Sequence, residues 1–174
     1  MLDGSLIFDG TVAATGSVTG TSISASATTQ ASLNVIDLLV ARDLGADHPL
    51  TIHIIPTVAF TTTNSATLTI ELDVSSDSTT WYSTQISEPA IPASQIIQGA
   101  PIWRPTLDPN QILNATSGVL KAPGRYLRLL YTVGTGVFTA AHNMMFAYIA
   151  PREDRNQFTV YKNNYSALVA TGEI

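Results

Sequence analysis

Apolar and polar residues alternate with a period of two through much of the middle of the chain, and the elements this predicts are strands. The clearest case is 66–75, ATLTIELDVS. Leu68, Ile70, Leu72 and Val74 fall on one face, and Thr67, Thr69, Glu71 and Asp73 on the other. That is the pattern of an antiparallel strand with one wet face. A second strand over 81–86 follows after a short turn, so the two predict a hairpin. Residues 125–134 set Tyr126, Arg128 and Leu130 against Leu127, Leu129 and Tyr131. Residues 138–150 read as the strand that closes the core, and Gly134, Thr135 and Gly136 predict a tight hairpin turn before it. Residues 50–58 are rich in β-branched side chains, with Thr51 and His53 on one face and Leu50, Ile52 and Ile54 on the other. Pro56 lacks a backbone N–H, so that end belongs at a sheet edge or a bulge. Residues 33–41 mix apolar runs with Asn34 and Asp37. No stretch of ten or more residues carries a helical period.

Both ends of the chain break this pattern. Residues 1–31 read as an extended arm, because 10–30 is almost entirely Ser, Thr, Gly and Ala. Two readings fit it: a plain linker, or a segment that pairs with a neighbouring subunit through β-tolerant positions such as Val12, Val18 and Ile23. The core is expected over 32–150, interrupted by a proline-rich excursion at 88–109. No helix can run through that excursion, and it has room for one short edge strand near 95–98. A second arm is expected over 151–174, with Phe158, Tyr161, Tyr165, Leu168 and Val169 as its anchors. Six to eight short strands and frequent turn signals predict an all-β, antiparallel β-sandwich of the jelly-roll kind with N- and C-terminal arms. Apolar side chains on an arm have no core of their own, so they point to assembly with other chains.

Composition narrows the function. Of 174 residues, 45% are hydrophobic but only 12% are charged, about half the usual charged share. The net charge of −5 excludes a basic nucleic-acid footprint as the main design. Cysteine is absent, which removes disulfides, thiolate nucleophiles and cysteine-ligated metals. The acidic N-terminus does not resemble a signal peptide, and no apolar run is long enough to span a membrane. The expectation is a soluble protein made in a cytoplasm.

Catalysis finds little support. His48, His53 and His142 are scattered, and neither a GxSxG elbow nor an HExxH motif is present. All three read as structural histidines. Glu71 and Asp73 are neighbours on a solvent-facing strand phase rather than a pair across a cleft. Asp43, Asp47 and His48 share a loop whose acids lack calcium-loop spacing. No enzyme activity, metal or cofactor is therefore expected. Residues 75–81, SSDSTTW, resemble half of an Asp-box hairpin without its glycine, which makes Asp77 and Trp81 a hairpin lock. Trp103 and Arg104, in the proline-rich excursion, are residue types that dominate interface hot spots. Trp103 reads either as an interface anchor or as a pin holding the loop to its own sheet.

The ordered blocks of the core resemble the jelly-roll capsid cement (decoration) proteins of tailed bacteriophages. The features that carry the resemblance are the ARDLG-x-x-x-P-L loop at 41–50, the S-x-D-x-x-x-W hairpin at 75–81, the RYLRL-x-Y-x-V-G strand at 125–134, the Phe-Thr-Ala turn at 138–140 and the late YKNNYSALVA. The resemblance implies a structural virion protein assembled in the host cytoplasm. It would sit on the outer capsid surface, bind the major capsid protein and cement neighbouring subunits, without catalysis. Partners would be the major capsid protein and further copies of the chain, as a dimer or trimer, with no nucleic acid or membrane. The alternative is a carbohydrate-binding or tail-associated adhesion module, which would need a row of exposed aromatics on one sheet face. Many copies on a lattice let modest contacts add up.

Overall fold

The computed structural model of the chain describes residues 6–23, 28–38, 50–107, 124–139 and 144–151. Eleven strands are found there: β1 (Ile7–Asp9), β2 (Thr11–Val12), β3 (Val18–Thr19), β4 (Thr21–Ser22), β5 (Thr29–Ala31), β6 (Ile36–Asp37), β7 (Leu50–Pro56), β8 (Thr67–Ser75), β9 (Tyr82–Pro92), β10 (Tyr126–Gly134) and β11 (Met144–Pro151). A short 3-10 segment lies at Ala93–Gln95, where the sequence allowed an edge strand near 95–98. Among the described residues no helix is long and apolar enough to cross a membrane.

The strands form two antiparallel sheets that face each other across one core. In the first, β11 is central: β7 pairs along one edge, and β1 and β4 share the other. In the second, β9, β8 and β10 lie in that order, and β5 and β6 both pair with β10. A small β2–β3 hairpin stands apart. Leu68, Ile70 and Leu72 of β8 and Leu127 and Leu129 of β10 are fully buried, and they meet Ile52, Ile54, Met145 and Ala147 of the first sheet. This is the all-β sandwich that the period-2 segments predict.

Four local expectations need correction. The first concerns residues 1–31, read as an arm outside the core. In fact β1 and β4 pair with β11, β5 pairs with β10, and Phe8 and Ile23 are buried in the main core. Small residues suit this role because ladder hydrogen bonds need only backbone, and close packing needs little side chain. At Gly20 a Cβ would collide with Thr57 Oγ1 and lie 2.9 Å from the Met145 carbonyl oxygen. At Gly10, with φ +86°, it would lie 2.7 Å from the Phe146 ring.

The second correction is at 134–136, which is not a hairpin. β10 and β11 belong to different sheets, and the chain crosses between them. Phe138 bridges to Thr62 and stacks edge-on against Phe60, with ring centroids 5.1 Å apart. Tertiary burial of Phe138 decides the path here, not the local turn residues.

The third concerns the proline-rich excursion, whose first residues belong to β9. That strand is the edge of its sheet, where Pro89 and Pro92 cost no ladder bond. A bulge between the partners of Leu68 and Ile70 is accompanied by Ala90 at φ 49°. A second irregularity, between Glu71 and Asp73, lies beside the Thr84 hydroxyl. That hydroxyl donates to the Leu72 carbonyl (2.7 Å) and accepts the Ile86 N–H (3.1 Å). Residues 102–107 then run along the open edge of β7. Ile102 N–H donates to Ile54 O and Leu107 N–H to Leu50 O, while Ile52 N–H donates to Pro105 O.

The fourth concerns the polar strand faces. Thr51 and His53 of β7 are buried, as is Asp73 of β8. The outer side of the first sheet carries its own apolar cluster of Ile7, Ile55, Phe146, Tyr148 and Ala150, and the His53 ring stacks on Tyr148 at 5.0 Å. Both faces of that sheet are therefore covered, which erases the distinction between a wet and a dry phase.

Candidate docking face

The outer side of the second sheet gathers the described side chains best suited to recognition. Register places Asp37 beside Tyr126, Arg128 beside Asp73, and Leu130 between Ala31 and Glu71 on one face. Two arginines organise it. Arg125 donates from Nε and Nη2 to the two carboxylate oxygens of Asp37 (2.6 and 2.7 Å) and lies 4.9 Å from the Tyr126 ring centre. Arg128 donates from Nε and Nη2 to Asp73 Oδ2 (3.0 and 2.8 Å) and lies 4.3 Å from the Trp81 ring centre. Each guanidinium is thus neutralised by a carboxylate and sits over an aromatic ring. Neither is left over as an anion site. Glu71, half-buried next to Asp73, has its pKa raised by burial and then by the Asp73 charge.

Asp77 builds the hairpin at one end of this face, as its motif predicts. Its carboxylate accepts the Thr79 and Thr80 N–H groups (2.9 and 2.7 Å) and the Ser75 and Thr80 hydroxyls. These donors favour the charged form and pull its pKa well below the usual carboxylate range. Ser78, at φ 60°, supplies the left-handed turn position. The lock sets where Trp81 leads into β9, and so where its ring meets Arg128.

Residues 32–35, between β5 and β6, invert the usual polarity. Ser32 is buried, whereas Leu33 is 64% and Val35 44% exposed. Polar contacts fix this arrangement. Ser32 N–H donates to Leu129 O and its hydroxyl accepts the Leu129 N–H. Asn34 donates from its backbone to Phe8 O and from its amide to Ile7 O, and Leu33 N–H donates to Asp9 Oδ1 at 2.8 Å. Two large aliphatic side chains are displayed on a backbone that its own chain holds still. Sequence reasoning missed them. The alternation Ser32, Leu33, Asn34, Val35 is a strand signal, but a shift of one residue exchanges its faces, and only the partners of Ser32 and Asn34 set the phase.

A family model, Bbp16, matches residues 13–146, about three-quarters of the chain. The chain belongs to the Bbp16 family. No curated protein matches it. The Bbp16 match starts within the Ser/Thr/Gly segment and ends in β11, so it includes β3, β4 and β5 along with the later strands.

The site residues read from the sequence fare differently. Trp103 is buried and pairs with Ile54 of β7, the arrangement of a pin that holds the loop. Arg104, next to it, is exposed. Phe158, Tyr161, Tyr165, Leu168 and Val169 lie outside the described residues, as do His48, His142 and the Asp43–Asp47 loop. Among the described residues no three His, Asp or Glu side chains converge on a point where a metal would bind.

Proposed function

We propose that this Bbp16-family chain is a structural virion protein that docks on the outer surface of a phage capsid and cements neighbouring major capsid protein subunits, through the outer face of the second sheet. The observation that carries this reading is the ordered display of Leu33 and Val35 together with a sheet face of arginine–aromatic contacts. Trp, Tyr and Arg are enriched where proteins meet, and pre-ordered side chains lose little entropy on docking. The blocks that resemble the cement proteins, 75–81 and 125–134, supply this face. Two exposed aliphatic side chains make a small contact, which suits a protein held in many copies on a lattice. Self-association as a dimer or trimer belongs to the same reading. A glycan reader would need bare aromatic faces, whereas here a guanidinium lies against both Trp81 and Tyr126.

The test uses phage heads assembled without this chain. Full-length protein should sediment with them, and a Leu33→Ser/Val35→Ser double variant should stay largely in the supernatant with an unchanged melting temperature. Equal sedimentation of the two would remove the docking face from the reading. Failure of the unaltered protein to sediment, together with binding to a glycan array, would replace it with the adhesion module.

A further inference from the structure

The N-terminal segment is fastened by a buried carboxylate. Asp9 is 2% exposed. A register shift in β1 between Ile7 and Asp9 re-aims it: Ile7 joins the outer cluster, Phe8 the main core, and Asp9 stands opposite Ala147, also in the main core. There Asp9 crosses from the first sheet to the second. Its Oδ2 accepts the Tyr131 hydroxyl of β10 at 2.5 Å, and its Oδ1 accepts the Leu33 N–H.

We propose that the Asp9–Tyr131 contact is a pH-sensitive clasp. It fastens residues 7–23 and the Leu33-bearing turn to the second sheet, and it holds more tightly in acid than at neutral pH. Burial disfavours the charged carboxylate, and the Leu33 and Tyr131 donors offset this only in part, so the Asp9 pKa rises to about 6. The Tyr131 hydroxyl, fully buried beside it, is pushed well above its ordinary value by burial and by the Asp9 charge. Among the described residues, Asp9 meets uncharged groups: the Leu33 N–H, the Tyr131 hydroxyl and Ala147 across from it on β11, while the Thr21 hydroxyl accepts the neighbouring Gly10 N–H. Arg128 stands on the opposite face of β10, and Tyr148 and His53 lie on the far side of the first sheet.

The sign follows from linkage. A released Asp9 returns to its ordinary pKa of 3.8. Between that value and about 6 the closed form keeps a proton that the open form has lost. Closure is therefore favoured fully below this window, weakens as pH rises through it and levels off above it. The span corresponds to a rise in opening of up to about a hundredfold. Opening would strip β1 and β4 from β11 and bare its edge, a template for pairing with another strand.

Amide hydrogen exchange on the full chain, corrected for intrinsic rates, tests this. The Gly10, Leu33 and Asn34 amides should lose up to about 25-fold in protection between pH 4.5 and pH 7.5, because part of the window lies below pH 4.5, while β8 amides hold theirs. Asp9→Asn should flatten the profile. Tyr131→Phe should keep the pH dependence but displace its midpoint upward, because a donor to the charged form is gone. A flat profile in the unaltered protein, an unchanged profile in Asp9→Asn, or β8 amides that lose protection in step would overturn the clasp. Should Asp9→Asn fail to fold, an unmoved midpoint in Tyr131→Phe would overturn it.

Discussion

Asp77 shows how far one side chain's chemistry can be read before any fold is known. An Asp two residues after a Ser and four before a Trp predicts a turn whose N–H groups converge on the carboxylate, and Thr79 and Thr80 supply them. The depressed pKa that results carries a pH dependence of definite sign. The stabilisation is present above the unfolded value near 4 and is lost as pH falls through and below it. Asp77→Asn should therefore lower the melting temperature at pH 7 and shrink the gap between the pH 7 and pH 2.5 melting temperatures, measured by circular dichroism. Asp9 is the contrary case. Nothing local marks it, because its environment comes from Tyr131, 122 residues away, and from the bulge that turns it inward.

At the scale of the element, β8 tests the register directly. Ile70 is fully buried and Glu71 half-buried. Ile70→Ala should cost on the order of 2–5 kcal/mol through lost burial and the cavity left behind. Glu71→Ala should be near neutral, since it removes a carboxylate that is partly desolvated and repelled by Asp73. Urea midpoints for the two variants check this, and equal shifts would refute the register. The period-2 pattern located β8 and β10 because each has one face in the core and the other outside. It read β7 less well. With the outer cluster of the first sheet above it and the main core below, β7 has no wet phase, and Thr51 and His53 are buried although their residue types suggest otherwise.

For the whole molecule, the decisive finding is that the N-terminal segment is built into the sandwich. Phe8 and Ile23 sit in the main core, and β1 and β4 complete the edge of β11. Deleting residues 1–12 should cost at least about 3 kcal/mol, the scale of losing one buried Phe, or abolish the cooperative urea transition altogether. A dispensable arm would leave the midpoint where it was. The docking face is also a product of the whole molecule. Its Arg128–Trp81 contact and its Arg125–Asp37 ion pair join residues distant in the chain, and its aliphatic pair is held out by Asp9 and by the Ile7 and Phe8 carbonyls.

What the sequence determined by itself is what nearest neighbours along the chain decide. Alternation over 66–75 and 125–134 set strands with a buried phase, prolines at 89 and 92 confined β9 to an edge, and the Ser75–Asp77 spacing made a turn. Three features were left to tertiary structure. The sheet that β11 joins, the face that Leu33 and Val35 show, and the place of a Ser/Thr/Gly segment in the core all depend on partners distant in sequence. A strand's own pattern says that one face is buried, but not against what. A segment of small residues carries no pattern to read, because its stabilisation comes from backbone bonds and close approach that any such sequence could make and only this neighbourhood accepts.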